Sequence, residues 1–506
     1  MGAGTVNEAL YVCVHVPEFP AQAMLRLRPE ADRAACAVLD GVAPQEYVCS
    51  MNRLAGRLGV AQRMTRAELD TFAELHVLRR SNTEESVARG ILLETAGMFT
   101  PRVEVQGESG SAFSIVLDMT GSTRIFGSAA QIIEQITQAL KAVKVFAQLA
   151  ASTNLHAAVS MASMARHAAY VIPAGDEARA LAGLPLACLA LTRHQAEALS
   201  LWGLRTLGDL AELPEVDLVV RLGQEGKRLR LLARGEHPHL MVPQEPVFAL
   251  EEFLQFESPV ETLDAVLYVL ETMLGQVIQR AQNRALAVAS VTLQLGLEGG
   301  GQHKSDVKPA LPVARADVLL KLLHLDLEAH PPGAAVLSVR LCAEPGDQSE
   351  VQIGLFAPQL PESMRLDVTL ARIAALVGED RVGRARLQDN HKADSFVMER
   401  FIVTPGKAKA TLMAKRSVAV RRCRPAVQIA MQRNGTRPSV FRLRGAQYAV
   451  DEAFGPWRKS GQWWSSGVWS CEEWDVRAST NAGEVLLCVI VHDLLLNCWQ
   501  LEALYD

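Results

Sequence analysis

Between Leu201 and Pro214 the sequence reads LWGLRTLGDLAELP, with glycines at 203 and 208. Two short helices joined by such a turn can aim successive backbone N–H groups at one phosphate, a contact that positions nucleic acid without reading its sequence. Arg205 stands in the turn, and Lys227, Arg228 and Arg230 follow it. Gly203, Arg205, Gly208, Lys227 and Arg228 are therefore the candidate DNA-binding residues. Glu212, Glu215, Asp217 and Glu225 lie among them, so the expected affinity is modest and strongly salt-dependent. A helical connector with a glycine turn is the other reading of the segment.

Three further groups of residues could bind. Gln352-Ile353-Gly354-Leu355-Phe356 follows the polar stretch EPGDQSE at 344–350. A Gln and two large apolar anchors on an extended linker fit a preformed groove on a partner, and adjacent Leu and Phe exposed on a linker need a reason. A short core strand is the alternative. Six of the seven Trp lie between Trp457 and Trp499. Trp457, Trp463 and Trp464 are candidate partner anchors, since large rigid aromatics dominate interfaces; the alternative is one Trp-rich core. Residues 411–450 hold nine Lys/Arg (Lys415, Arg416, Arg421, Arg422, Arg424, Arg433, Arg437, Arg442 and Arg444) and no Asp or Glu. Such a block touches phosphate or an acidic partner, or serves as a solubilising connector.

Several chemistries lack their residues. Between Arg102 and Arg124 the carboxylates are Glu104, Glu108 and Asp118, well separated, with no Asp-Glu pair. The nine Cys are scattered, without a CxxC or a zinc-like Cys/His spacing, which predicts reduced thiols in a cytoplasmic protein and no metal. His391, His492 and Asp493 come without a nucleophile elbow or a glycine-rich phosphate loop, so no hydrolase and no cofactor are expected. Met1–Leu10 is not a cationic segment followed by an apolar run, and no apolar stretch approaches 18 residues, so neither a signal peptide nor a membrane span is expected. The 506 residues are 49% apolar and 21% charged, with 35 Gly and 23 Pro. That composition excludes a collagenous or broadly disordered chain and predicts about three to four globular domains. A net charge of −5 argues against a simple nucleic-acid coat.

The elements that position these residues follow from periodicity. Strands are predicted over 10–16 and 35–39, then a short helix over 52–60 closed by Gly59, and helices over 66–75 and 86–98. A strand over 113–118 ends in Asp118-Met119-Thr120-Gly121, a long helix fills 129–150, and a strand over 155–160 precedes a helix over 161–169. This is a mixed α/β region spanning about 8–175. Helix, glycine hairpin and helix then run to Gly235. Residues 246–345 read as strand–helix–strand–helix–strand, with a glycine-rich loop over 296–312. Residues 342–424 carry little core pattern, and 425–506 are rich in Trp and strands.

Taken in order, these segments resemble the Y-family, the lesion-bypass DNA polymerases. Asn52, Ala55, Gly59, Val60 and Met64 resemble the fingers helix and the turn after it. Leu117-Asp118-Met119-Thr120 is similar to the strand end that follows the family's catalytic Asp-Glu pair. Gly203–Pro214 resembles the thumb's helix-hairpin-helix, and 246–345 the little finger. The last 80 residues, with Gly455-Pro456-Trp457 and Trp463-Trp464, look like the tail of the polymerase-like subunit of a bacterial mutagenesis cassette. The resemblance implies an α+β multidomain fold. Palm and fingers occupy 1–175 (fingers about 20–80), the thumb 176–242, the little finger 243–345, a linker 346–424, and a Trp-rich β-containing domain 425–506.

Polymerase chemistry needs two metal ions about 3.5–4 Å apart, held by carboxylates. The family's three carboxylate positions fall here on Pro17, Phe113 and Ser114, with Glu18 the nearest carboxylate and Phe19-Pro20-Ala21 in the steric-gate region. Pro and Phe cannot ligate Mg²⁺, and a Ser hydroxyl is a weak substitute. The resemblance therefore implies a non-catalytic adaptor in SOS-induced translesion synthesis and mutagenesis. It would bind primer-template DNA weakly and dock on the replicative sliding clamp through Gln352–Phe356. It would recruit an error-prone replicative-type DNA polymerase and a RecA-like accessory protein. An active translesion polymerase with displaced ligands, and a purely structural DNA-binding protein, are the alternatives.

Overall fold

Val12, Val14 and Val16 alternate with Cys13 and His15 along the strand Tyr11–Val16, and residues 12–16 are all buried. A strand covered on both faces belongs at the centre of a sheet. The computed structural model of the protein describes residues 9–347 (apart from 110, 165–166, 246 and 310–311), 369–370, 373, 381–388, 395–399 and 420–505 (apart from 465–466). Its fold is α+β and multidomain, with two compact units, 1–375 and 376–506.

In the first unit, Tyr11–Val16 lies between Ala112–Asp118 and Gln148–Ser152, antiparallel to both. Val103–Ser109 and Ala169–Val171 complete this five-stranded sheet at its two edges. Val12, Val14 and Val16 pack against Ile91 and Leu92 of the helix Asn82–Gly97 and Ile132, Ile136 and Leu140 of the helix Ala129–Ala142. On the opposite face Cys13, Val116 and Ala150 share a core with the helix Leu155–Met164 and with Leu199, Leu207, Leu210 and Leu229 of the helical block that follows. A three-stranded sheet, Tyr47–Met51, Ala35–Asp40 and Leu75–Arg79, carries the helix Arg53–Leu58. Asn52 caps that helix by accepting from the Ala55 N–H, and Gly59 closes it at φ 99°, where a side chain would be strained.

Residues 250–347 form an antiparallel sheet in the order Gln302–Val307, Leu286–Leu297, Val336–Asp347, Leu250–Val260. The helices Leu263–Gln282 and Ala316–Ala329 cover one face of it. Four buried charges tie this layer to the first sheet's helices. Arg26 pairs with Glu252, and Arg280 pairs with both Glu94 and Glu252, all with side chains no more than 5% exposed. Arg28 adds a half-buried bridge to Glu84 and donates to the Gln255 carbonyl.

The second unit holds a small hairpin, Arg384–Leu387 with Phe396–Glu399, and a closed six-stranded antiparallel meander. The meander strands are Val420–Asn434, Arg437–Leu443, Ala446–Gly461, Trp469–Ser479, Val485–Asp493 and Cys498–Tyr505. Phe441, Trp474, Ile490, Trp499 and Leu501 fill the barrel.

Four sequence expectations change. The helix expected over 129–150 stops at Ala142. Beyond it the apolar period becomes two, with Val143, Val145, Ala147 and Leu149 buried, and Gln148–Ser152 joins the sheet as a strand. Leu155–Ser160 is helical rather than extended, because Asn154 accepts the Ala157 N–H at 3.1 Å and starts a helix there. The helix expected over 66–75 is one turn, Arg66–Leu69, and Leu75–Arg79 is a strand parallel to Ala35–Asp40. Within the loop expected over 296–312, Gln302–Val307 pairs with Leu286–Leu297, which adds a fourth strand.

Candidate functional site

The two central strands of the first sheet set the geometry around Phe113 and Ser114. Their register places Val16 opposite Phe113 and His15 opposite Ser114. The Ser114 hydroxyl lies 2.8 Å from His15 Nδ1. The first-strand neighbour of Ser114 is thus His15, whereas Pro17 sits beyond the strand end and uses its carbonyl to accept from Gln22 Nε2 at 2.7 Å. Burial holds the His15 imidazole below its usual pKa, which favours the neutral ring. Phe113 is buried and packs against Phe19, ring centroids 5.0 Å apart, with the Arg89 guanidinium 5.8 Å from each ring.

Among the described side chains, the carboxylates nearby are engaged. Glu18, at φ 50°, accepts from the Ser50 hydroxyl, the Met51 N–H and Gln62 Nε2. Asp118 is buried, pairs with Arg102 at 2.7 Å and accepts the Thr120 N–H at 3.0 Å, which makes it a turn residue. Glu104 faces His239 and accepts the Val242 N–H. Among the described residues no group of three or more His, Cys, Asp or Glu could hold a metal ion. The site's chemistry is apolar packing around one neutral His–Ser contact.

The helical hairpin forms as the sequence predicts, from Arg193–Leu201 and Leu207–Glu212. Gly203 takes φ 77° in the turn between them. Its N–H groups do not face outward to a ligand. Gly203 donates to Ser200, Leu204 to Leu199, Leu207 to Leu184 and Gly208 to Ala182. Arg205 and Thr206 both donate to one oxygen of Asp209, each at 2.9 Å. The chain's own carboxylate therefore occupies the position a phosphate was expected to take. These backbone bonds hold the Asp209 carboxyl below the usual carboxylate range, so it stays charged. Lys227 pairs with Glu215 at 3.0 Å and Arg228 with Glu225 at 2.6 Å, while Arg205 is exposed without an ion pair among the described residues. The signal was legible: Thr206-x-x-Asp209 is a capping box, which claims those N–H groups for the protein.

In the barrel the tryptophans divide. Trp474 and Trp499 are core, while Trp463 and Trp464 are 81% and 71% exposed and meet edge to face at 5.5 Å. Trp457 is also exposed. His492 stacks on Trp499 and bonds Asn497, and Asp493 caps the N–H groups of Leu495 and Leu496, so both residues are structural. Gln352–Phe356, His391 and 411–419 lie outside the described residues. Among the described residues no helix is long and apolar enough to cross a membrane.

Residues 14–164 match the impB/mucB/samB family model. The chain is 26% identical over 404 residues to the protein ImuB of Caulobacter vibrioides, covering 73% of this chain and 81% of that one. It is 26% identical over 268 residues to DNA polymerase IV of Desulfatibacillum aliphaticivorans, covering 51% of this chain and 65% of that one. The crystal structure of DinB from Sulfolobus solfataricus aligns at 17% identity with a TM-score of 0.40, covering 66% of this chain and 98% of that one.

Proposed function

The chain is an ImuB-like, Y-family polymerase-like protein, and from that premise we propose that it is a non-catalytic adaptor in SOS-induced translesion synthesis. The observation that carries this reading is Phe113, which by resemblance holds a carboxylate position and is instead buried against Phe19. Without metal ligands there is no Lewis acid for phosphoryl transfer.

The adaptor works through effective concentration. Weak binding to primer-template DNA and docking of Gln352–Phe356 on the replicative sliding clamp reinforce each other on one chain. Trp457, Trp463 and Trp464 recruit an error-prone replicative-type polymerase and a RecA-like accessory protein, which supply the synthesis this chain lacks. Exposed paired indoles suit that role, since they offer large contact area at small entropic cost.

Likeness to DNA polymerase IV favours a second reading, an active translesion polymerase. Primer extension separates the two. The purified chain is given a damaged template with Mg²⁺ or Mn²⁺, with and without the clamp. The adaptor reading expects DNA bound and no nucleotide added. Extension that persists through repeated purification establishes the polymerase.

A further inference from the structure

The basic block singled out in the sequence continues into the barrel as one hairpin. Val420–Asn434 and Arg437–Leu443, with the turn after them, carry Arg421, Arg422, Arg424, Arg433, Arg437, Arg442 and Arg444 and no acidic residue. All seven are exposed. Arg422 is bridged to Glu502. Arg421, Arg433, Arg437, Arg442 and Arg444 have no carboxylate partner among the described residues.

The rest of the barrel is built differently. Basic residues on its other strands face acids across the ladder: Arg458 with Glu472, Lys459 with Glu473, and Arg477 with Glu452. Balanced pairs give a surface little net field, whereas five unmatched guanidiniums concentrate it on one hairpin. At Arg442 the neighbouring strands offer no acid to screen it. Arg442 lies opposite Ala430 on one side and Gln447 on the other.

We infer that this hairpin is a nucleic-acid backbone site. Arg433 and Arg437 stand at one end of the strand Arg437–Leu443, and Arg442 and Arg444 at the other. That separation is about 17 Å at ~3.4 Å per residue, the length of about five nucleotides at ~3.4 Å each. Guanidiniums are forked donors suited to phosphate oxygens. An acidic protein partner fits less well, because an interface core needs apolar anchors. Between Arg421 and Ala449 no large apolar side chain is exposed. The meander also puts the Gly435 turn and the Trp463–Trp464 turn at the same end of the barrel. Aromatic faces at the end of a basic track suit a single strand, whose bases stack on them. The site does not depend on the first unit's catalytic status and reads no base sequence.

The test uses the full chain and fluorescence anisotropy, with a labelled 20-nucleotide single strand and a duplex of the same sequence, between 50 and 200 mM salt. The variant R433S/R437S/R442S/R444S is expected to lose at least tenfold in affinity at low salt. The slope of log K against log salt is expected to fall by about 2–3. A larger loss on the single strand identifies unpaired template as the source of phosphates, and an equal loss identifies any backbone. The all-lysine counterpart is expected to bind within about threefold of the parent, since it keeps the charges. Unchanged affinity and slope in the serine variant overturn the inference. So does an equal loss in the lysine variant, or polyglutamate binding as tightly as the oligonucleotide and by the same arginines.

Discussion

Asp209 and Thr206 hold each other across the first turn of a helix: the Asp209 carboxylate accepts the Thr206 N–H at 2.9 Å, and the Thr206 hydroxyl accepts the Asp209 N–H at 3.2 Å. The same carboxylate oxygen takes the Arg205 N–H. A hairpin that otherwise resembles a phosphate clamp is thereby closed by an internal anion. Asp209→Asn removes that charge and leaves the turn intact. DNA affinity at low salt is expected to rise about threefold or more, with a small drop in Tm from the weakened cap. Anisotropy on a primer-template duplex reads the change, and lower affinity would show that Asp209 organises the contact rather than blocking it.

Phe113 and Phe19 make a second substitution informative. Putting Asp at 113 and Glu at 114 restores carboxylates to the sequence positions, yet the ring at 113 is core. Phe-to-small changes in a core cost about 3–5 kcal/mol, and a buried unpaired carboxylate adds to that. The double variant is expected to unfold at markedly lower urea and to add no nucleotide. Gain of metal-dependent extension with retained stability would show that the pocket is a metal site merely lacking its ligands.

The sequence displayed the central strand, the short helix with its Gly59 stop, the long helix before Val103, the helical hairpin and the Trp-rich β region, because each has a strong local signature. Periodicity misled where a segment's partners decide its state. Leu155–Ser160 is apolar enough for a strand, but the Asn154 cap and the packing of Ala157, Ala158 and Met161 beneath the sheet make it a helix. Asn154 was the visible clue. At the candidate site, the apolar character of Phe113 was plain from its identity, whereas its ring partner Phe19 and the His15–Ser114 contact depend on register, which no single segment encodes. The fates of the tryptophans were invisible for the same reason, since burial in a barrel depends on which strand face closes inward.

Glu252 is fully buried between two arginines from different helical layers, Arg26 and Arg280. Removing one partner of a buried pair leaves an uncompensated charge, at about 3–5 kcal/mol. Glu252→Gln leaves Arg26 facing a neutral acceptor while Arg280 keeps Glu94, and is expected to cost that much in urea denaturation. Protease cleavage around 243–250 is expected to quicken if the layer of 250–347 is tied down by this network. A shift of the urea midpoint no greater than that of an exposed control such as Glu197→Gln would remove the network from the account of stability.

The proposed clamp docking assigns the contact to three side chains. Changing Gln352, Leu355 and Phe356 together to Ala is expected to abolish capture by immobilised sliding clamp and to remove damage-induced mutagenesis in cells. The Tm of the chain is expected to stay unchanged. Capture that survives the triple change would move the clamp contact elsewhere in the chain.

Acid sensitivity is expected from the imidazoles where the strand Val103–Ser109, the helix Leu155–Met164 and the segment 236–242 meet. His156 packs edge-on against His237 and His239, ring centroids 5.0 Å apart in both cases. Burial, then the neighbouring His239, His237 and Arg228, push the His156 pKa down to about 4, while Glu104 opposes them. Burial and Arg228 also lower that of His237. Although burial opposes it, bonds from His239 and the Val242 N–H hold the Glu104 carboxyl below its usual range. The unfolded chain takes up a proton on each imidazole near pH ~6.5, whereas folded His156 resists until about pH 4. Between those values the unfolded state binds more protons, so stability falls with acidification. Glu104 adds to the loss below its unfolded pKa, in the same direction. Tm is therefore expected to be level above pH 7 and to decline steadily from pH 6.5 toward 4.5. His156→Phe, which fills the space without a titrating group, is expected to flatten that decline; an identical slope in the variant would assign the acid sensitivity to other groups.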